Sequence, residues 1–307
     1  MRSLRGMGED LFPGFAERIV DGAAGPIFLR VGGGGPPVVL IHGFPQTHAE
    51  WAPIAGALAR RATVVAVDLR GYGASAAPAS VGGARYAKRE MAADVVRAMA
   101  ALGHERFALV GHDRGARVGY RLALDAPERV ERLALLDILP TVSMWDGMDA
   151  ALALQVYHWA FLAQPAPLPE TLIGAAPLAY LDHTLASWTA SRSLAAFDPR
   201  ALAAWRAAMA EPARIHAFCE DYRAGATIDV DHDRSDLAAG RRIACPVLVL
   251  WGAAGIPAAS GSPLDVWRAT FAPHAEGTGI EAGHFLPEEA PQATLAALLP
   301  FLAGGSG

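Results

Sequence analysis

Asp113 stands between two glycines, Gly111 and Gly115, directly after the apolar run Phe107 to Val110. The spacing is that of Gly-x-Ser-x-Gly, a sharp strand-to-helix turn that presents a reactive side chain where two backbones crowd together. Here a carboxylate fills the serine position. A serine hydroxyl attacks acyl carbon, whereas a carboxylate can displace a leaving group from saturated carbon and become an ester. Water must then cleave that ester. The chain therefore has to supply a base for the water, a group to orient the base, and donors for the oxyanion.

His284, in Ala-Gly-His-Phe-Leu-Pro after a strand candidate near Ile280, occupies the position that a chain order of nucleophile, acid, histidine gives to the base. The acid could follow the strand after the elbow or the later strand Pro246 to Trp251. The later exit, Trp251 to Pro257, holds no carboxylate, while the earlier strand ends on Asp137. Asp137 is the expected orienter, with Asp265 as the fallback. The exit His42-Gly43-Phe44-Pro45 can aim a backbone N–H into the crevice beyond a strand end. The N–H groups of Phe44 and Arg114 are thus expected to form the oxyanion hole. Arg114 and Arg117, three apart, can share a helix face. One guanidinium could serve only to keep Asp113 ionised. Two offer a bidentate seat for an anion, most simply a carboxylate. A carboxylate held beside a displaceable α-carbon describes a 2-halo acid.

These groups need strands to carry them. Arg18 to Val20 and Ile27 to Val31 read as an antiparallel hairpin. Val38–Ile41, Thr63–Val67, the run before Asp113, Leu133–Leu136 and Pro246–Trp251 read as short strands buried on both faces. Trp51–Arg60, Tyr86–Leu102 and a segment from about Ala116 to Asp125, stopped by Pro127, have helical character. The alternation predicts an α/β fold with a mostly parallel central sheet covered by helices. From Thr141 to Ser235 the strand runs stop, and tryptophans, prolines and helical stretches replace them: an inserted helical cap over the strand ends. The expected division is core 1–140, cap 141–235 and core 236–307. Residues 1–16 read as an irregular lead-in and Ala303 to Gly307 as a frayed tail.

At 307 residues, 52% hydrophobic and 19% charged, the chain has the composition of a folded protein with one large core. A net charge of -5 argues against nucleic acid as a partner. No apolar window is long enough to span a membrane, and the N-terminus lacks a signal-peptide core. Two isolated cysteines, Cys219 and Cys245, make neither a disulfide framework nor a zinc cluster. They fit a reducing, cytoplasmic setting, and the chemistry asks for no metal and no cofactor.

The elbow His112-Asp113-Arg114-Gly115-Ala116-Arg117, the strand exit His42 to Pro45 and the run Leu136-Asp137-Ile138-Leu139-Pro140 resemble the haloacetate dehalogenases, over nearly the whole chain. The resemblance implies an α/β-hydrolase fold with Asp113 as nucleophile, Asp137 and His284 as the charge pair, and Arg114 with Arg117 on the substrate carboxylate. It also implies that a His-Trp pair and a cap tyrosine bind the departing halide. Tyr157-His158-Trp159 and Asp221-Tyr222-Arg223 carry that role to His158, Trp159 and Tyr222. Imidazole, indole and phenol can each donate a hydrogen bond to a developing fluoride. The implied reaction turns fluoroacetate or chloroacetate into glycolate and halide through an Asp113 ester, in a homodimer. Which halogen is preferred stays open, because the cap and the loop Ala253 to Ser262 set the pocket size.

Two rivals remain. An epoxide hydrolase uses the same aspartate, acid and histidine and protonates a ring oxygen with two cap tyrosines; Tyr157, Tyr180 and Tyr222 are available for that. Such enzymes usually carry tryptophan after the nucleophile, and an epoxide needs no anion seat. A ligand-binding receptor that had lost catalysis would have no use for Asp113, Asp137 and His284 together.

Overall fold

A computed structural model describes residues 10–259 and 261–304. The first nine residues of the expected lead-in and the last three of the tail lie outside it. Eight strands form one sheet: β1 (Ala16–Asp21), β2 (Pro26–Gly33), β3 (Pro37–Ile41), β4 (Thr63–Val67), β5 (Phe107–His112), β6 (Val130–Leu136), β7 (Val247–Gly252) and β8 (Glu276–Ile280). Their order is β1-β2-β4-β3-β5-β6-β7-β8. The β1–β2 and β2–β4 pairs are antiparallel, and every pair from β4 to β8 is parallel.

Helices α1 (Ala52–Ala59), α2 (Lys88–Ala101) and α3 (Asp113–Asp125) connect the early strands. Between β6 and β7 the chain runs through α4 to α11: Thr141–Asp146, Ala150–Gln155, Tyr157–Leu162, Leu168–Ala175, Pro177–Trp188, Pro199–Met209, Pro212–Ala226 and Ile228–Ala238. Helices α12 (Ile256–Ala259), α13 (Pro263–Ala269), α14 (Leu286–Glu289) and α15 (Pro291–Leu302) complete the chain. The uninterrupted apolar runs have a simple cause. Alternate residues of β3 point to opposite sides of the sheet, and both sides are dry. Val39 and Ile41 join a core with Met91 and Val95 of α2 and Val118 and Leu122 of α3. Val38 and Leu40 join a second core with Ile54 and Leu58 of α1 and Leu298 of α15.

Most element ends move by one to three residues from the sequence reading, and two of these shifts bear on the site. The helical segment after β6 continues to Ala238. Helix α3 starts at Asp113, not near Ala116, so the carboxylate occupies the first position of the helix. Asp113 holds φ 44, a conformation that bends the chain sharply between strand and helix. The helix start is pressed onto β3: a Cβ at Gly115 would lie 2.1 Å from the Ile41 carbonyl oxygen. Only glycine fits there. Among the described residues no helix is long and apolar enough to cross a membrane.

Candidate active site

Parallel strands present their C-terminal ends on one edge of the sheet, and in open α/β sheets that edge is where ligands bind. Phe44 follows β3, Asp113 ends the β5 turn, Asp137 follows β6 and His284 follows β8. Asp113 Oδ1 accepts the Phe44 N–H at 2.9 Å. Its other oxygen, Oδ2, lies 4.0 Å from His284 Nε2, which has no hydrogen-bond partner among the described residues. Burial pushes the Asp113 carboxyl up, but His284, Arg114, His112 and Arg117 outweigh it and hold the group below its ordinary range. The carboxylate is ionised at neutral pH.

His284 Nδ1 donates to Asp137 Oδ2 at 2.6 Å, and Asp137 Oδ1 accepts the Gly252 N–H at 2.9 Å. A carboxylate can only accept here, so the proton sits on Nδ1 and Nε2 is the basic nitrogen. Asp265, the fallback, is exposed in the first turn of α13, where Ser262 caps its N–H.

His112 and Glu50 support this layer from below. His112 Nε2 donates to the His284 carbonyl at 2.9 Å, and its Nδ1 lies 3.1 Å from Glu50 Oε1. Burial lowers the His112 pKa, the Glu50 carboxylate more than reverses that, and the group rises to about 9. A folded-state value above the ordinary one stabilises the fold fully below pH about 6.5, and the contribution is lost as pH climbs through about 9. The gain is on the order of 3 kcal/mol. The melting temperature is therefore expected to fall from pH 7 to pH 9 in the parent, and to fall less steeply in Glu50→Gln. Parallel melting curves for the two proteins that kept the same slope would remove the pair from this role.

The two arginines behave differently. Arg117 Nη1 donates to the Leu139 carbonyl and to Thr141 Oγ1, both at 3.0 Å, and its Nε has no hydrogen-bond partner among the described residues. Its guanidinium stacks on Trp159 at 4.6 Å. Arg114 is tied to Asp221 of α10: Nε reaches Oδ2 at 3.1 Å, and Nη2 reaches Oδ1 at 2.7 Å and the Asp221 carbonyl at 2.6 Å. Its face lies 4.3 Å from the Tyr222 ring, and Nη1 has no hydrogen-bond partner among the described residues.

A cavity of about 30 Å³ opens between these groups, walled by Asp113, Arg117, His158, Trp159, Trp188 and His284 among others. That is two or three times the roughly 10–15 Å³ that a single water requires. Burial pulls His158 down to about 3, so its ring is neutral. Arg114 and Tyr222 are not in the cavity wall. They stand in the next layer, with Tyr222 5.6 Å from His158 and 6.4 Å from Trp159 between ring centroids. A second cavity, about 450 Å³, adjoins the first and shares Trp188, Ile256 and His284 with it.

Sequence reasoning missed Asp221, Glu50 and Trp188. Asp221 carries the one available signal, an acid next to a tyrosine already singled out. Trp188 packs between His158, tilted at 4.5 Å, and His284, edge-on at 5.3 Å, and nothing in its local sequence marks it. Cys219 and Cys245 are both free, and burial pushes their thiols up to about 12 and about 11.

The parallel sheet, the strained acid at its edge and the paired histidine define a class: the chain belongs to the α/β-hydrolase fold family, whose model matches residues 36–291. It is a hydrolase, 44% identical to a fluoroacetate dehalogenase of Burkholderia sp over 293 residues, 95% of each chain. It is also 32% identical to a soluble epoxide hydrolase of Corynebacterium sp. strain C12, over 88% of this chain and 91% of that one. A crystal structure from Nostoc sp PCC 7120, provisionally assigned as an α/β hydrolase, superposes with a TM-score of 0.91 at 52% identity, covering 94% of this chain and 98% of the other.

Proposed function

We propose that this protein hydrolyses haloacetates, fluoroacetate and chloroacetate, to glycolate and halide. The observation that carries the reading is Arg117. It is 2% exposed, walls the cavity beside Asp113 and, among the described residues, has no ion pair. Burial first, and then the charge of Arg114, work against its protonated form. A guanidinium stays charged regardless, so a small carboxylate entering the cavity relieves that cost.

Asp113 Oδ1 is already engaged by Phe44, which leaves Oδ2 to attack. It displaces the halogen at C2, the C–X bond breaks, and the halide leaves with its electron pair toward His158 and Trp159, with Tyr222 in the layer behind them. Asp113 becomes an ester. Water then attacks Cγ of that ester and gives a proton to His284 Nε2, while the oxyanion at Oδ1 faces the N–H groups of Phe44 and Arg114. Collapse expels the glycolate alkoxide, which takes the proton from His284; Asp113 is left as the carboxylic acid and becomes a carboxylate again by giving its remaining proton, by way of His284, to solvent. Asp137 holds the imidazolium in place between the two transfers. No metal or cofactor takes part.

The likeness to the fluoroacetate dehalogenase supports this reading. The test is halide release from fluoro-, chloro- and bromoacetate in parallel. Release from none of them would sink it. Arg117→Lys is expected to raise KM for chloroacetate about 10- to 100-fold, because a point charge cannot reproduce a planar fork whose charged hydrogen bonds are each worth about 1.5–3 kcal/mol. Unchanged kinetics would remove Arg117 from the site.

Likeness to a soluble epoxide hydrolase favours the second reading. Against it, the inner cavity has no tyrosine in its wall. Turnover of styrene oxide without turnover of chloroacetate would decide for it.

We further infer that 141–235 acts as a cap on a core made of 1–140 and 236–307. Free thiols at Cys219 and Cys245 support a cytoplasmic setting. Exposed Leu154, Tyr157, Leu168, Leu172 and Leu178, all on α5 to α8, support a homodimer. Sedimentation at the mass of a single chain would end that part.

A further inference from the structure

His284 lies on a loop, 281–285, that belongs to no strand and no helix. Its imidazole is set 2.6 Å from Asp137 all the same, so the backbone that carries it must be held from outside the loop. We propose that the Glu289 carboxylate is that clamp. It brackets His284 on both sides and ties the loop to the inserted helical segment, which makes Glu289 a positioning residue for the base of the second step.

Glu289 is the last residue of α14. Its Oε1 accepts the Phe285 N–H at 3.0 Å, and its Oε2 accepts the Gly283 N–H at 3.0 Å. Those are the two residues that flank the base. Oε2 also accepts the N–H of Ala190, just beyond the end of α8, at 2.8 Å. Three backbone donors thus converge on one acceptor-only group, and hydrogen bonds to an ionised carboxylate are about twice as strong as neutral ones. Glutamine has the same shape but one acceptor oxygen in place of two. It cannot take all three donors without turning its own NH₂ against an N–H.

The other contacts of the loop fit around that bracket. The His284 N–H donates to the Trp188 carbonyl at 2.9 Å, and the His284 carbonyl accepts from His112 Nε2 at 2.9 Å. Gly283 lets the two backbones meet: a Cβ there would stand 2.4 Å from the Ala190 nitrogen and 2.5 Å from the Trp188 oxygen. The loop and the end of α8 therefore touch backbone to backbone, and Glu289 bridges them. None of the three donors belongs to the turn that carries Asp113. The clamp bears on the base and leaves the nucleophile to its own supports.

The inference rests on the haloacetate reading, and its test keeps the two apart. Displacement of halide needs no base, whereas cleavage of the ester does, and kcat/KM reports only the steps through the irreversible loss of halide. Glu289→Gln and Glu289→Ala are compared with the parent on chloroacetate. In both, kcat is expected to fall about 10- to 100-fold, the scale of loss that a misplacement of about 1 Å brings, and further in the alanine variant. KM is expected to fall with it, so that kcat/KM stays within about three-fold of the parent, and halide appears in a burst before the slow turnover. A merely structural role would lower kcat and kcat/KM together, in step with the loss of folded protein, and leave KM in place. That pattern overturns the clamp, as does an unchanged kcat in the folded variants. If Glu289→Ala does not fold, Glu289→Gln decides alone. Parent protein that releases no halide overturns the haloacetate reading instead. The clamp is then decided by hydrogen exchange of the amides at 190, 283 and 285, read by mass spectrometry: faster exchange in the variants sustains it, and exchange equal to the parent's overturns it.

Discussion

Asp113→Asn is expected to release no halide above background, a loss on the order of 10⁴-fold or more, as for other residues that act as a covalent unit. The size follows from the geometry. Oδ1 is committed to the Phe44 N–H, and Oδ2 is the only oxygen left to attack. An amide keeps the shape and loses the nucleophile. Asp113→Ala serves as a control against slow deamidation back to aspartate. The same step can be read without a variant. In heavy-oxygen water a single turnover is expected to put label into Asp113 and not into glycolate, because the glycolate oxygen comes from the carboxylate and water restores it. Label found only in glycolate would mean that water attacks carbon directly, and the ester would be excluded.

A different signature is expected of His284→Gln. The first displacement needs an ionised Asp113 and no base, and the charges around Asp113 hold its pKa down. Hydrolysis of the ester, in contrast, needs His284 Nε2 to take a proton from water. The variant is thus expected to release about one halide per active site in a burst and then stall, with the ester detectable on Asp113 by mass spectrometry. Steady turnover is expected to fall by at least 10³-fold, within the range seen when a member of a catalytic unit is removed. Loss of the burst together with the steady rate would assign His284 to the first step. A burst that persists in the absence of chloroacetate would discredit the assay.

Both predictions follow from residues that were legible before any coordinates. The strand runs, their alternation with helices and the change of pattern near Thr141 were readable because burial on both faces of a parallel sheet forces a continuous apolar run. Gly111 and Gly115 were readable because the first turn of α3 is crowded on both sides: a Cβ at 111 would meet the Ala116 backbone, and one at 115 would meet the Ile41 carbonyl of β3. Asp137 was found by elimination between two strand exits, and its 2.6 Å bond to His284 joins the ends of β6 and β8 across β7, which lies between them.

What the chain alone determined is the fold class, the identity of the acid and histidine at the sheet edge, and the presence of two arginines near them, since each depends on local order along the sequence. Tertiary structure decided the rest: that Asp221 binds Arg114, that Arg117 walls the cavity without a counter-ion among the described residues, and that Glu50 charges His112 beneath His284. Arg114 and Asp221, and Glu50 and His112, are each more than sixty residues apart in the chain. A charge buried away from water is governed by whichever partner the fold brings within a few ångströms, and spacing along the backbone carries no record of that.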